Sequence, residues 1–256
     1  MNLELKGRKV LVTGASQGIG RAIAKHLAGE GAKVALVARR KIELDAAVRE
    51  FGGRSRGHKA VAMDLARADS ARQLLRRLKS FGQPDIVVHN LGSSLEIRDP
   101  LCSIADWRKV FRINLEVAIE INNLIIPEMK LRQWGRIVHV SSVSAGENLG
   151  PVPYCAVKAA LNAYTKSMGR IFAADGIVLC AVAPGAVLVK GGHWDKTSRD
   201  RPEHVKKYLA DQTPMHRFGT PEEIAGLVAF LCSPHASQCA GSVVSVDGGL
   251  GRSFTA

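Results

Sequence analysis

The sequence has no long uninterrupted apolar run. No segment reaches the roughly 20 residues that a membrane-spanning helix requires, and the stretch from Met1 to Lys9 lacks the apolar core behind a basic end that marks an export signal. A soluble, unexported, cytoplasmic protein with no membrane partner is therefore expected. Cysteine is sparse: Cys102, Cys155, Cys180, Cys232 and Cys239 are odd in number, scattered and without Cys-x-x-Cys spacing. That pattern argues against a disulfide framework and a zinc site, so no metal ligands are expected. No internal repeat, low-complexity tract or interdomain linker divides the chain, and 256 residues suit one α/β domain over 1–256, a class that often exceeds the usual domain size. Acidic residues are in deficit, 23 against 36 Lys and Arg, for a formal charge of +13. A surface of that sign gathers anions: nucleotides, phosphorylated carriers or nucleic acid. No helix-turn-helix, zinc-finger or RNA-binding signature accompanies the charge, and Arg72, Arg76, Arg77 and Lys79 have the spacing of a solvated helix face. No nucleic-acid partner is expected.

Against these absences stands a regular rhythm. Short β-branched runs alternate with longer helical patterns, as in repeated βαβ units around a parallel sheet. Strands are predicted at Lys9–Thr13, Lys33–Ala38, His58–Met63, Asp85–His89, Arg136–Ser141, Val178–Ala183 and Val243–Val246, several of them continuously apolar, as strands covered on both faces are. Helices are predicted at Gly20–Ala28, Ile42–Phe51, Ser70–Phe81, Ile104–Leu131, Ala156–Ala173 and Pro221–Leu231. The pattern predicts an α/β fold with a seven-stranded, mostly parallel, doubly wound sheet and helices on both faces. Residues 187–219 show no strong period and are rich in charge, glycine and aromatics, the mark of a substrate loop or lid.

The first strand runs directly into Gly14-Ala15-Ser16-Gln17-Gly18-Ile19-Gly20 and then a helix. Glycines here allow a tight turn and let backbone N–H groups and the positive end of the helix dipole meet a pyrophosphate. The second strand ends Ala38-Arg39-Arg40, with no carboxylate to bind ribose hydroxyls and repel a 2′-phosphate. A guanidinium suits phosphate oxygens, so NADP(H) is expected, with Arg39 as the phosphate ligand and Ser16 or Arg40 as helpers. Further on, Ser141-Ser142 closes the fifth strand, and Tyr154 and Lys158 follow at i and i+4, on one helix face. A carbonyl receiving hydride needs a proton. A phenol with an ammonium beside it can supply one, and a serine hydroxyl can hold the oxygen where charge develops.

These motifs, in this order and spacing, resemble those of the short-chain dehydrogenase/reductases, from Thr13-Gly14 to Val246-Asp247-Gly248-Gly249 across nearly the whole chain. The resemblance implies a single-domain Rossmann fold that binds NADP(H) at Gly14, Ser16, Gln17, Gly18, Ile19, Gly20, Arg39, Arg40, Asp64, Leu65, Asn90, Gly92, Tyr154, Lys158, Pro184, Gly185 and Val187. It implies Tyr154 as general acid/base, Lys158 as its electrostatic partner, Ser142 as the substrate-orienting hydroxyl and Asn114 as organiser of a water path from the lysine. Departures from the family pattern are Leu91, where alanine is usual, and Ala186-Val187-Leu188, where a threonine usually meets the nicotinamide carboxamide. Leu149, Val152, His193 and Trp194 are substrate-pocket candidates. Among relatives, the 3-oxoacyl-acyl-carrier-protein reductases are nearest in character, which implies a carbonyl substrate, small or carrier-bound, and an acyl carrier protein as partner, with Arg132 and Arg170 as weak carrier-contact candidates. A sugar, steroid or secondary-metabolite ketone is the alternative, and a cofactor-sensing regulator a lesser one. Homotetramer or homodimer assembly is implied through Gly219–Ile224 and the last strand.

Overall fold

The computed structural model describes residues 1–253. Its strands are β1 (Lys9–Thr13), β2 (Lys33–Ala38), β3 (Lys59–Ala62), β4 (Ile86–His89), β5 (Gly135–Val140), β6 (Ile177–Pro184) and β7 (Val243–Val246). They form one sheet in the order β3-β2-β1-β4-β5-β6-β7 with every pairing parallel. The helices are α1 (Gly18–Gly29), α2 (Lys41–Glu50), α3 (Ser70–Arg77), α4 (Ile104–Phe111), α5 (Val117–Leu131), α6 (Val152–Phe172), α7 (His193–Asp200), α8 (Pro202–Gln212) and α9 (Pro221–Leu231).

The strands are largely apolar because alternate residues feed two separate cores. Val10, Val12, Val34 and Leu36 pack with Ile23 and Leu27 of α1 and Ile224 and Val228 of α9. Leu11, Ala35, Val37 and Val87 pack on the other face with Leu74 of α3 and Ile121, Ile125 and Met129 of α5. Strand order reverses between β1 and β4, so the loops at their carboxyl ends diverge and leave a crevice, the usual ligand position in such sheets.

Two segments differ from the sequence expectation. The helix predicted over 104–131 is broken by a π turn at Arg112–Glu116, whose extra residue turns Asn114 inward, 3% exposed. Residues 187–219, read as lacking a period, contain α7 and α8, which meet at Arg201. Only Thr197 is buried in α7 and only Val205 in α8, so neither helix has an apolar stripe for periodicity to detect.

Candidate active site

The crevice is a cleft of about 1300 Å³. That exceeds the few hundred to roughly 1,000 Å³ of a site for one small ligand. At its floor, Gly14 (φ +66°) and Gly18 (φ +56°) adopt the left-handed backbone of the turn. A Cβ on Gly20 would lie 2.3 Å from Asn90 Nδ2 and 2.6 Å from the Gly14 carbonyl, so α1 begins where only glycine fits. Asn90 is a strut: its amide donates to the carbonyls of Thr13 and Gly14, both at 3.2 Å. Thr13 is the hub below it, its Oγ1 accepting from the backbone N–H groups of Asn90 and Leu91, each at 3.1 Å.

Gly14, Ser16, Gln17, Gly18, Ile19, Arg39, Arg40, Asp64, Leu65, Asn90, Gly92, Pro184, Gly185 and Val187 line the cleft, as do Ser142, Tyr154, Lys158 and Trp194. The two arginines after β2 differ. Arg40 Nη2 donates to Ser16 Oγ (3.1 Å) and its guanidinium stands 3.6 Å from Glu43, whereas Arg39 has no side-chain partner among the described residues.

At the far end, β5 delivers Ser142 and the first turns of α6 deliver Tyr154 and Lys158. The Ser142 hydroxyl donates to Ser144 Oγ at 3.2 Å and accepts from the Ser144 N–H at 3.1 Å, and it shares the cleft with the Tyr154 phenol. Lys158 is 2% exposed; its Nζ donates to the Val140 carbonyl at 2.8 Å and lies 5.5 Å from the centre of the Tyr154 ring. Burial pulls Lys158 down to about 7. It pushes Tyr154 up to about 12, with the neighbouring Ser142 hydroxyl acting the other way. Asn114 sits behind the pair. Its Oδ1 accepts from the Ser93 N–H (3.2 Å), and its Nδ2 donates to the Ser93 and Val110 carbonyls, both at 2.8 Å. Gly92 lies between Asn114 and Lys158, and a Cβ there would be 2.6 Å from Asn114 Oδ1 and 3.1 Å from Lys158 Nζ.

Not every candidate reaches the cleft. Leu149 and Val152 are 42% and 47% exposed and lie off its lining, because the residues after β5 turn outward before α6 starts. His193 stands at the rim, its ring 5.0 Å from Trp194. Arg132 is tied to the Pro84 carbonyl at 3.0 Å.

A family model described as enoyl-(acyl carrier protein) reductase matches residues 14–251. A 3-oxoacyl-[acyl-carrier-protein] reductase of Aquifex aeolicus is 34% identical over 98% of this chain and 100% of its own length. The structure of L-sorbose reductase from Gluconobacter frateurii, complexed with NADPH and L-sorbose, superposes with TM-score 0.90 at 29% identity over 99% of this chain and 100% of that one. A 3-oxoacyl (acyl-carrier-protein) reductase from Agrobacterium tumefaciens with NADP bound gives TM-score 0.87 at 32% identity over 96% and 95% of the two chains. The chain belongs to the short-chain dehydrogenase/reductase family.

In this short-chain dehydrogenase/reductase, further polar side chains line or back the cleft. Ser141, 4% exposed and on the cleft wall, has a hydroxyl with no partner among the described residues. Arg108 and Arg112 of the α4 region also face the cleft, and Arg112 is held by Glu120 at 2.6 Å. Behind Lys158 lies a buried polar chain whose proton positions are fixed. Thr165 Oγ1 donates to the Leu161 carbonyl (2.7 Å), so it accepts from His139 Nδ1 (2.8 Å). His139 Nε2 is then an acceptor for Asn122 Nδ2 (3.4 Å), and Asn122 Oδ1 accepts from His89 Nε2 (2.8 Å). The His139 ring, accepting at Nε2, is thereby neutral, and burial favours the neutral form of both: it takes His89 down to about 4 and, with His89 and Lys158 adding to it, holds His139 well below the usual histidine range.

Proposed function

We propose that this protein is an NADP(H)-dependent reductase that converts a carbonyl, a 3-oxoacyl thioester or related ketone, to an alcohol. The observation that carries the reading is the half-buried Tyr154 beside the buried Lys158, with Ser142, in the same cleft as the glycine turn. Three features of the cleft fit the dinucleotide: the turn around Gly14 and Gly18, the Arg39 guanidinium, without a side-chain partner among the described residues, for a 2′-phosphate, and the Ser141 hydroxyl, likewise without a partner among them, beside the catalytic end. When bound, the nicotinamide supplies the hydride. The chain supplies the rest. Ser142 holds the carbonyl oxygen by a hydrogen bond. Tyr154, whose phenol at about 12 keeps its proton at neutral pH, donates that proton to the oxygen as negative charge grows on it. Lys158 stabilises the phenolate so formed, and Asn114 holds the loop against which the lysine packs.

The 3-oxoacyl reading is supported by the Aquifex relative and by the basic surface, which suits an acidic carrier. Homotetramer assembly belongs to the same proposal, supported by β7, a half-exposed edge strand. The test is a panel of 3-oxoacyl thioesters, sugars and steroids assayed with NADPH and NADH, on wild type and Tyr154→Phe. Loss of the acid is expected to lower kcat by about 10²–10⁴-fold. Undiminished NADPH turnover by Tyr154→Phe would refute the assignment.

A further inference from the structure

We propose that a cavity between α3 and α5, remote from the catalytic cleft, binds a soluble single-chain aliphatic anion with a carboxylate or phosphate head, and that Arg76 and Lys79 recognise that head.

The cavity holds about 460 Å³, within the few hundred to roughly 1,000 Å³ of small-ligand sites. Its lining has no residue in common with the cleft. Topology explains the separation. α3 runs back against the direction of the strands, and Gly82, Gln83 and Pro84 lead into the start of β4, so the cavity lies at the amino edge of the sheet. The glycine turn and Ser142 follow the carboxyl ends of β1 and β5.

The floor of the cavity is aliphatic. Leu75 and Leu78 come from the end of α3, Leu124 from α5 and Pro84 from the loop before β4. Among the described residues no aromatic ring lines it, and Gln83 supplies the one side-chain acceptor. A purine or a sugar meets neither a stacking face nor a set of acceptors here, whereas a hydrocarbon chain meets matching surface.

The rim is cationic. Arg72, Arg76 and Lys79 line the same cavity, and with Leu75 they fall at i, i+3, i+4 and i+7, one stripe of the helix and its last turn. Basic groups near a helix C-terminus often answer its free carbonyls, but Lys59 fills that role: its Nζ donates to the Arg77 carbonyl at 2.6 Å and to Ser80 Oγ at 2.7 Å. Arg77 reaches away to the Ala62 carbonyl at 2.8 Å. Arg72 makes a long contact with Asp69 at 3.4 Å, and Arg76 and Lys79 have no side-chain hydrogen bond or ion pair among the described residues. More positive charge stands behind them. A Cβ on Gly82 would run into the Lys9 ammonium, and Arg132 donates to the Pro84 carbonyl at 3.0 Å. Asp85 partly offsets these two, accepting from the Lys9 N–H at 2.9 Å and standing 4.0 Å from Arg132. A solvated helix face, the expectation from spacing alone, has cations without a hollow beneath them. Here an excess of positive charge surrounds an apolar hollow, which suits a ligand whose chain lies on the leucines and whose anionic head meets Arg76 and Lys79.

The test is calorimetry on NADPH-loaded protein with hexanoate, octanoate and decanoate, and with 1-octanol as the neutral counterpart. Wild type is expected to bind octanoate about tenfold more tightly than octanol at low salt, less so at high salt. Each added methylene should tighten binding about three- to fourfold until the floor is covered. In the Arg76→Gln/Lys79→Gln double variant the preference for the anion should fall toward one while octanol binding is retained. Methyl spectra of leucine-labelled protein locate the ligand, with shifts expected at Leu75, Leu78 and Leu124. Octyl phosphate run beside octanoate sorts the heads: tighter binding of either, lost in the double variant, supports the site and names its head. Equal binding of octanoate and octanol by wild type, no binding of either, a preference the double variant keeps, or shifts at Leu65, Leu91 and Leu95 of the catalytic cleft in place of the three named would overturn the proposal. Sedimentation of wild type, but not of the double variant, with anionic phospholipid vesicles in the absence of octanoate binding would make the patch a membrane contact and overturn it as well.

Discussion

Replacing Lys158 with methionine is expected to stabilise the fold at neutral pH while removing turnover. In the unfolded chain the amine titrates near 10.5, and in the fold burial brings it down to about 7. Between these values the unfolded chain binds up to one more proton than the folded one, so stability rises with pH across this window, at a slope approaching about 1.4 kcal/mol per unit. Below about 7 both states are protonated and the full cost of the buried ammonium is present; a displacement from 10.5 to about 7 corresponds to roughly 4–5 kcal/mol. Methionine, unbranched and apolar, removes that cost but leaves the Val140 carbonyl without its donor, a loss of about 1–2 kcal/mol. The variant should therefore exceed wild type by roughly 2–4 kcal/mol near neutral pH, and the gap should close as the solution becomes alkaline. Urea unfolding of both proteins without nucleotide, at steps from pH 6 to 9.5, measures the difference free of other titrating groups. A difference independent of pH, or a Lys158→Met protein less stable than wild type at pH 7, would refute a buried lysine titrating in this range.

Three further outcomes follow from the same geometry. Thr13→Val keeps the shape but strips the acceptor from the N–H groups of Asn90 and Leu91, and should cost roughly 2–4 kcal/mol; Thr13→Ser, which keeps the oxygen, should cost about 1 kcal/mol, and equal urea midpoints for the two would contradict the hub. Arg39→Ala should raise KM for NADPH by about 10- to 100-fold, the worth of one charge-assisted hydrogen bond, while Arg40→Ala, whose arginine is engaged with Ser16 and Glu43, should do less; steady-state kinetics with both nucleotides separates them. Asn122→Leu strips the partner from His89 Nε2, His139 Nε2 and the Tyr164 hydroxyl and should lower stability by roughly 3 kcal/mol or more in thermal unfolding, whereas a melt like that of wild type would mean that the chain of bonds is dispensable.

What could be read in advance, and what could not, divides along a physical line. The strands were legible because β1, β4, β5 and β6 are covered on both faces, which forces unbroken apolar runs. The glycine turn was legible because its positive φ values and the closeness of Asn90 exclude every other residue. α7 and α8 were hidden because each buries a single side chain, and the π turn because one inserted residue leaves no compositional trace. Leu149 and Val152 are near Tyr154 along the chain, yet chain proximity does not determine which way a loop turns, and both face outward. The same distinction governs the chemistry. Spacing of i and i+4 puts Tyr154 and Lys158 on one face whatever their depth, and depth then sets how each holds its proton: desolvation favours the protonated phenol and brings the amine down to about 7, where a share of it still carries the charge that stabilises a phenolate. A proton donor for carbonyl reduction is thus specified by how far Tyr154 and Lys158 are withdrawn from water, a property of the packed fold rather than of the motif.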